Sequence, residues 1–325
     1  MTHAPLVSVL VISYRQETTV EAALKAALAQ TYSPLEIIVS DDGSPDGTFD
    51  VIQAVLKDYK GPHAVRAHRN EKNLGTGANV AGAVAMSKGE LVFLMAGDDI
   101  SLPDRCARIV EVWLQHGCKP DLIASDVYDM DQDGTVHGVI RPQELAVYKG
   151  PEDWVASPPH IVGAAQAWTR RLYDHFGPLP QGVMAEDLIM VFRAMCMGGG
   201  INVHEPLVKY RRGGISAKRK ALSAQEVVNG WLANNRRTLF ELAVIGQDAR
   251  TARCEEAVAP WLNRQLAFEH FMRDIFAATG FLSKVLLTLR TTNVPASRKA
   301  RLFVYAACPA LLGPFFFLKK WWKTR

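Results

Sequence analysis

Apolar positions along this chain follow two alternating periods. Residues 7–12 form a short, β-branched apolar run, the pattern of a strand buried on both faces. Residues 17–30 then place Val20, Ala23, Leu24, Ala27 and Leu28 on one helical face, until Ser33-Pro34 breaks the pattern. Residues 35–39 read as a second buried strand. The turn cluster Asp41-Asp42-Gly43-Ser44-Pro45-Asp46-Gly47 leads into a helix over 48–59. A third strand is predicted at 65–68, a small-residue helix at 78–86, and a fourth strand at 91–95 ending in Ala96-Gly97-Asp98-Asp99.

Beyond Pro103 the periodicity predicts a helix to residue 116 and a strand at 122–125, then a looser region over 129–159. Helical spacing returns at 168–176 and more clearly at 185–197, closed by Gly198-Gly199-Gly200, and 201–210 reads as a last strand. From residue 224 the pattern is helical only, which sets a boundary near Lys220: an α/β domain over 1–220 and a helical extension over 221–325. Strands alternating with helices imply βαβ units and a mostly parallel sheet. Ligands of such sheets sit beyond the carboxyl ends of the strands, and both Asp-Asp pairs fall at that edge.

Composition narrows the picture. The chain has 325 residues, 48% hydrophobic and 22% charged, enough to bury a sizeable core. A net charge of +4 is too small to suggest nucleic-acid binding, but its distribution is uneven. From Arg290 onward there are many Lys and Arg and no Asp or Glu, a pattern that points to an anionic partner. The five cysteines are widely spaced with no CxxC pair, so neither a zinc site nor a disulfide framework is expected. The N-terminus has no basic stretch before its apolar run, so a first strand is expected rather than an export signal, with the catalytic part on the cytoplasmic side.

Several residues are candidates for chemistry. Gly75-Thr76-Gly77 does not make a dinucleotide fingerprint, because position 80 is Val and the loop comes too late. A GxxxxGK[ST] phosphate loop is absent as well. Carboxylate pairs at strand ends suit a divalent cation, Mg²⁺ or Mn²⁺, which prefers hard oxygens and commonly combines one or two carboxylates with substrate phosphates. Asp98 and Asp99 fit that role, while Asp41 and Asp42 fit hydrogen bonding to a nucleoside; the bland alternative is that Asp and Gly populate loops. Glu186-Asp187, at the start of an apolar helix, reads either as helix-terminal charge or as a general base. Tyr210-Arg211-Arg212 reads either as a phosphate contact or as part of a solvated basic turn running on through Lys218-Arg219-Lys220.

The order SVLVISYR, SDDGSPDGT, NLGTGANVAGAVAMSKGELVFLMAGDD, AEDLIMVFR and PLVKYRRGGIS resembles the family 2 inverting glycosyltransferases of GT-A fold, over roughly residues 6–216. The resemblance implies that Asp42, with Asp41 beside it, binds the nucleotide base and that Ser13 and Tyr14 flank the nucleotide. It implies that Asn73, Gly75 and Asn79 lie next to ribose and diphosphate, and that Asp98 and Asp99 form the metal-binding region. By the same resemblance Asp187 is the base with Glu186 as its neighbour, and Tyr210 and Arg211 belong to a loop that closes over the diphosphate. Two positions depart from the family pattern: Ala96 replaces the first Asp of the acidic motif, and Gly213 or Gly214 stands where a His is usual. Neither a QxxRW segment nor a set of long transmembrane helices is present, so a processive polymerase is not expected.

The resulting expectation is a metal-dependent, non-processive transfer of one sugar from a nucleotide-diphosphate sugar, a UDP-sugar favoured, to a glycan or lipid-linked hydroxyl. By family habit the setting is bacterial polysaccharide, lipopolysaccharide or glycolipid assembly. The alternative is a non-catalytic nucleotide-sugar-binding or scaffold member, favoured by the missing Asp and His and opposed by Asp98-Asp99 and Glu186-Asp187. For the C-terminus, the apolar stretch 303–318 is shorter than a spanning helix needs and is interrupted by Pro309, Gly313 and Pro314. With Trp321, Trp322 and flanking Lys and Arg it is expected to dock on an anionic membrane at the inner face without spanning it. Packing on the catalytic domain or at a homodimer interface, and a re-entrant or tilted insertion, are the other destinations for this tail.

Overall fold

The computed structural model describes residues 4–213, 223–312 and 314. The chain divides into two compact units, Met1–Ala217 with Thr251–Cys254, and Lys218–Arg250 with Glu255–Arg325.

The first unit is built on one nine-stranded sheet. Its opening half is β1 (Val7–Ser13), α1 (Val20–Leu28), β2 (Leu35–Asp41), α2 (Thr48–Lys57), β3 (Ala64–Arg69), α3 (Thr76–Met86) and β4 (Leu91–Ala96). Then come β5 (Ile100–Ser101), α4 (Arg105–Gln115), β6 (Leu122–Met130), β7 (Val136–Ile140), α5 (Pro151–Ala156), β8 (Gln166–Thr169), α6 (Arg170–Phe176), α7 (Glu186–Met195) and β9 (Gly200–Arg211). Sheet order is β3-β2-β1-β4-β8-β6-β9-β5, with β7 added on β6. Pairing is parallel from β3 through β4 and between β6 and β9, whereas β8 runs antiparallel to both neighbours.

Burial on both faces explains the unbroken apolar runs. On one face Val9, Val11, Ile37, Val39 and Phe93 meet Ala23, Leu24 and Ala27 of α1 and Ile109, Val110 and Trp113 of α4 in one core. Leu10 and Ile38, at the intervening positions, are equally buried, and α3 packs on β1 and β2. Each fully buried aliphatic side chain contributes roughly 1.5–3 kcal/mol, so these runs hold the strands in the interior of the sheet.

Three elements differ from the sequence expectation. α1 starts at Val20 rather than residue 17, because the preceding residues are drawn into loop contacts: Gln16 N donates to Thr48 Oγ1 at 2.9 Å, and Thr19 Oγ1 donates to the Gly97 carbonyl at 3.0 Å. The stretch expected to be helical from 168 instead begins as β8, with the fully buried Trp168 paired to Val92 and Leu122. The helix follows only at Arg170, where Thr169 Oγ1 caps it by accepting from Leu172 N at 3.3 Å. Strand β6 runs on to Met130, five residues past its expected end, and the looser region holds β7 and α5.

The second unit is helical: α8 (Ala224–Thr251, whose last residue falls in the first unit), α9 (Glu255–Ala277), α10 (Phe281–Arg290) and α11 (Ala296–Ala307). Phe271, Met272, Ile275, Val294 and Leu302 form its core. Among the described residues no helix is long and apolar enough to cross a membrane. Gly214, Lys218, Arg219, Lys220, Trp321, Trp322 and the last basic residues lie outside the described residues.

Candidate active site

Strand register brings the two acid pairs to one edge. Ser13 of β1 lies beside Asp41 of β2, and Ile12 beside Ala96 of β4, so Asp41-Asp42 and Asp98-Asp99 leave the sheet at the carboxyl ends of strands flanking β1. This is the edge where ligands of open α/β sheets bind.

Asp41 is fully buried and shapes the turn after β2. Its Oδ1 accepts from Ser44 Oγ at 2.5 Å and Ser13 Oγ at 3.3 Å, its Oδ2 accepts from Ser44 N at 2.9 Å, and Arg69 Nε stands 3.6 Å away. Asp42 is 3% exposed and holds the loop ahead of α3. Its Oδ1 accepts from Asn70 Nδ2 at 2.9 Å and Leu74 N at 2.8 Å, and its Oδ2 from Gly75 N at 2.9 Å. Asn70 Nδ2 also donates to Asn79 Oδ1 at 3.0 Å, and Asn79 is locked onto Ser40 through its side chain and backbone. Three residues expected at the nucleotide, Asp41, Asp42 and Asn79, therefore direct hydrogen bonds into the protein. Asn73 is exposed on the loop they hold, with Gly75 half-buried beside it. Tyr14 is half-buried on the opposite loop, with the Arg15 guanidinium 5.4 Å from its ring centroid.

The second acid pair is coupled to both neighbouring loops. Gln16 Oε1 accepts from Tyr14 N at 3.3 Å, and the same side chain hydrogen-bonds Asp98, tying the loop after β1 to the loop after β4. Asp99 is 2% exposed, and its Oδ1 accepts from Arg211 N at 2.8 Å. The Arg211 guanidinium, at the end of β9, donates to the carbonyls of Asp98 at 3.0 Å, Asp131 at 3.1 Å and Gln132 at 2.7 Å. Arg211 thus braces the acidic loop, and Tyr210 beside it packs on the cluster of Val127, Val162 and Val208. Arg212 forms an ion pair with Asp129.

Burial raises the Asp98 carboxyl above its ordinary range, and burial together with the Asp98 charge pushes Asp99 up to about 7. Behind them Arg105, 1% exposed, donates to Ser101 Oγ at 2.9 Å and to the carbonyls of Leu94 and Gln166, each at 3.1 Å. Two carboxylates that resist ionising together are a hard-oxygen donor set that fits a divalent cation completed by ligand oxygens. Among the described residues no group of three or more His, Cys, Asp or Glu is placed to hold a metal by itself.

Glu186 and Asp187 open α7, both half-buried, and Asp187 Oδ1 accepts from Leu188 N at 2.8 Å. Gly163 lies against them: a Cβ there would stand 3.2 Å from Glu186 Oε1 and 3.3 Å from Asp187 Cβ, so a larger residue would crowd both acids. The segment before α7 is anchored to α3, since Gly77 N donates to the Val183 carbonyl at 3.0 Å. A Cβ on Gly77 would come within 2.8 Å of Val183 Cβ, so only glycine permits this approach. Gln16, Asn70, Arg105, Gly163 and Val183 were not singled out by the sequence. Asn70 and Gly77 lie in or beside a recognisable loop, but nothing local marks the burial of Arg105 or the placement of Gly163.

The sequence model described as "Glycosyl transferase family 2" matches residues 8–171. An uncharacterized glycosyltransferase of Nostoc sp. is 33% identical over 107 residues, covering 33% of this chain and 32% of its own. The chain spans about a third of the length of that relative and of the next, from Haemophilus influenzae. The fold is shared with Staphylococcus aureus TarS crystallised with UDP-GlcNAc, at a TM-score of 0.55 and 14% identity, covering 92% of this chain and 89% of that one. It is shared also with the Pyrobaculum calidifontis mannosyltransferase PcManGT, in complex with GDP-Man and Mn2+, at a TM-score of 0.53 and 17% identity over 96% of this chain and 87% of that one. With its acid pairs on one sheet edge and a family match over half its length, this chain belongs to glycosyl transferase family 2.

Proposed function

We propose that this chain moves one sugar from a nucleotide-diphosphate sugar to a hydroxyl of a glycan or lipid-linked acceptor, with inversion at the anomeric carbon. The observation that carries the reading is the convergence of Asp98 and Asp99 with the loop organised by Asp42 at the carboxyl edge of β2-β1-β4. Asn73, Gly75 and Tyr14 border the donor there, and Asp42 orients its loop. Asp187, assisted by Glu186, takes the proton of the acceptor hydroxyl as its oxygen attacks the anomeric carbon opposite the departing diphosphate. A divalent cation, Mn²⁺ or Mg²⁺, held by Asp98 and Asp99 would supply charge neutralisation on that diphosphate. Arg211 bonds the acidic loop directly, and Arg105 holds the strands that flank it, at Leu94 and Ser101.

In this reading residues 1–220 are the catalytic domain and 221–325 a helical extension. The extension docks on an anionic membrane at the cytoplasmic face, which its acid-free, basic sequence after Asp274 supports. The donor part is tested by thermal shift with UDP-, GDP- and dTDP-sugars, with and without Mn²⁺. One nucleotide class should raise Tm by several degrees, as a ligand of the native state does, and Asp99→Ala should abolish the Mn²⁺ dependence. Equal stabilisation with Mn²⁺ and with EDTA would remove the metal from the account.

A further inference from the structure

The second unit holds a cavity of about 380 Å³ between α8, α9 and α11, apart from the acid pairs. Its floor is apolar, with Met272 and Leu302 buried, and its back is closed by Asn235, whose Nδ2 donates to Glu269 Oε2 at 2.6 Å. Two arginines line it from α11. The Arg298 guanidinium lies 5.1 Å from the Phe268 ring centroid, and that of Arg301 lies 5.0 Å from the Trp231 ring. Among the described residues neither arginine is hydrogen-bonded or paired with a carboxylate; Glu269, the acid of the cavity, is engaged by Asn235 instead. A guanidinium resting on an aromatic face keeps its in-plane N–H donors for an anion, and two of them at one mouth match a phosphate group.

Helix α10 packs directly on α11. Lys284 Nζ donates to the Ala306 carbonyl at 2.6 Å, Lys299 Nζ donates to those of Thr288 and Thr291, and the Phe281 and Phe303 rings are 5.7 Å apart. Yet the other face of α10 is apolar and open: Leu282, Leu286 and Leu289, spaced i, i+4, i+7, are 69%, 41% and 74% exposed. No Asp or Glu occurs after Asp274, so no carboxylate within this helix pair opposes an anionic surface. A leucine face on a cationic, acid-free helix pair is the pattern of an element lying in the membrane interface.

We propose that α10 and α11 form a binding site for anionic membrane lipid. Arg298 and Arg301 take the lipid phosphate at the mouth of the cavity, and the leucine face of α10 enters the apolar layer. This rests on the reading that the C-terminal region docks on an anionic membrane, and it places the contact on α10 and α11 rather than on the tail alone.

The full chain is floated with vesicles of phosphatidylcholine alone and of phosphatidylcholine mixed with phosphatidylglycerol. Binding should require phosphatidylglycerol, and Arg298→Gln with Arg301→Gln should weaken it by about tenfold or more. Leu282→Ser, Leu286→Ser and Leu289→Ser together should also release the protein, with Tm lowered by no more than a few degrees in either variant, since all five side chains are exposed and the arginines give up only their ring contacts. Inorganic phosphate at millimolar concentration should not displace the vesicles; displacement would assign the arginine pair to soluble phosphate and overturn the lipid site. If the full chain floats and the arginine variant floats equally well, the site falls while membrane docking stands. If the full chain floats with neither vesicle, docking itself falls, and the site with it.

Discussion

Asp42→Ala separates an organising carboxylate from a ligand-reading one. In the folded chain this side chain accepts three hydrogen bonds, from Asn70 Nδ2, Leu74 N and Gly75 N. Removing it orphans two backbone donors outright, while Asn70 keeps Asn79 Oδ1 as an acceptor. Leu74 and Gly75 are half-buried, so water can reach them once the loop loosens, and the low end of the usual penalty applies. At roughly 1 kcal/mol for each orphaned amide the loss is about 2 kcal/mol, a large share of a typical 5–15 kcal/mol. Asp42→Asn keeps one acceptor oxygen and turns an NH₂ toward one donor, so about 1–2 kcal/mol is expected. Urea denaturation followed by tryptophan fluorescence measures the total, and hydrogen exchange of the amides at 74 and 75 localises it. Donor affinity should fall in step with the loss of protection. An Asp42→Ala protein within about 0.5 kcal/mol of the parent, with unchanged exchange at those amides but no nucleotide binding, would refute the organising role. Asp42 would then act on the nucleotide directly.

Gly77→Ala should cost about 1–3 kcal/mol, since its Cβ would stand 2.8 Å from Val183 Cβ and 3.0 Å from the Val183 carbonyl oxygen. It should also lower turnover, because Val183 anchors the segment leading to Asp187; an unchanged Tm and rate would show that α3 and this segment are not held together. Burial raises the Glu269 carboxyl above its ordinary range, so the folded chain keeps a proton at a pH where the unfolded chain has lost it. Stability is then full below the ordinary carboxylate range and declines as pH rises through the raised value. Glu269→Gln, which cannot ionise, should therefore gain Tm relative to the parent at pH 8 and lose that advantage near pH 4; a pH-independent difference would contradict it. Arg105→Met should leave the protein folded but raise the donor KM several-fold through the acidic loop, and an unchanged KM would confine Arg105 to packing.

Much of this architecture is legible in the pattern of residues. The apolar runs of β1, β2 and β4 are buried on both faces, and the acid pairs that follow β2 and β4 do share an edge. Strand β8 escapes local reading because Trp168 and Thr169 sit in a stretch with helical spacing, and only pairing with Val92 and Leu122 makes them extended. The two-residue β5 exists because Ile100 and Ser101 meet Lys209 and Val208 from far along the chain. Side-chain direction is the other hidden quantity. Asp42 and Asn79 have the residue types of ligand contacts, yet their hydrogen bonds run to Asn70, Leu74, Gly75 and Ser40. Arg211 likewise reads as a phosphate contact, but its guanidinium is held by three carbonyls.

The central claim, nucleotide-sugar-dependent transfer with Asp187 as base, is tested most directly by nucleoside diphosphate formation from each candidate donor, comparing the parent with Asp187→Asn. The account predicts nucleoside diphosphate from one donor class, a rate lowered about 10²-fold or more in the variant, and an unchanged donor Kd. No product from any UDP-, GDP- or dTDP-sugar, or equal rates in the two proteins, would contradict it.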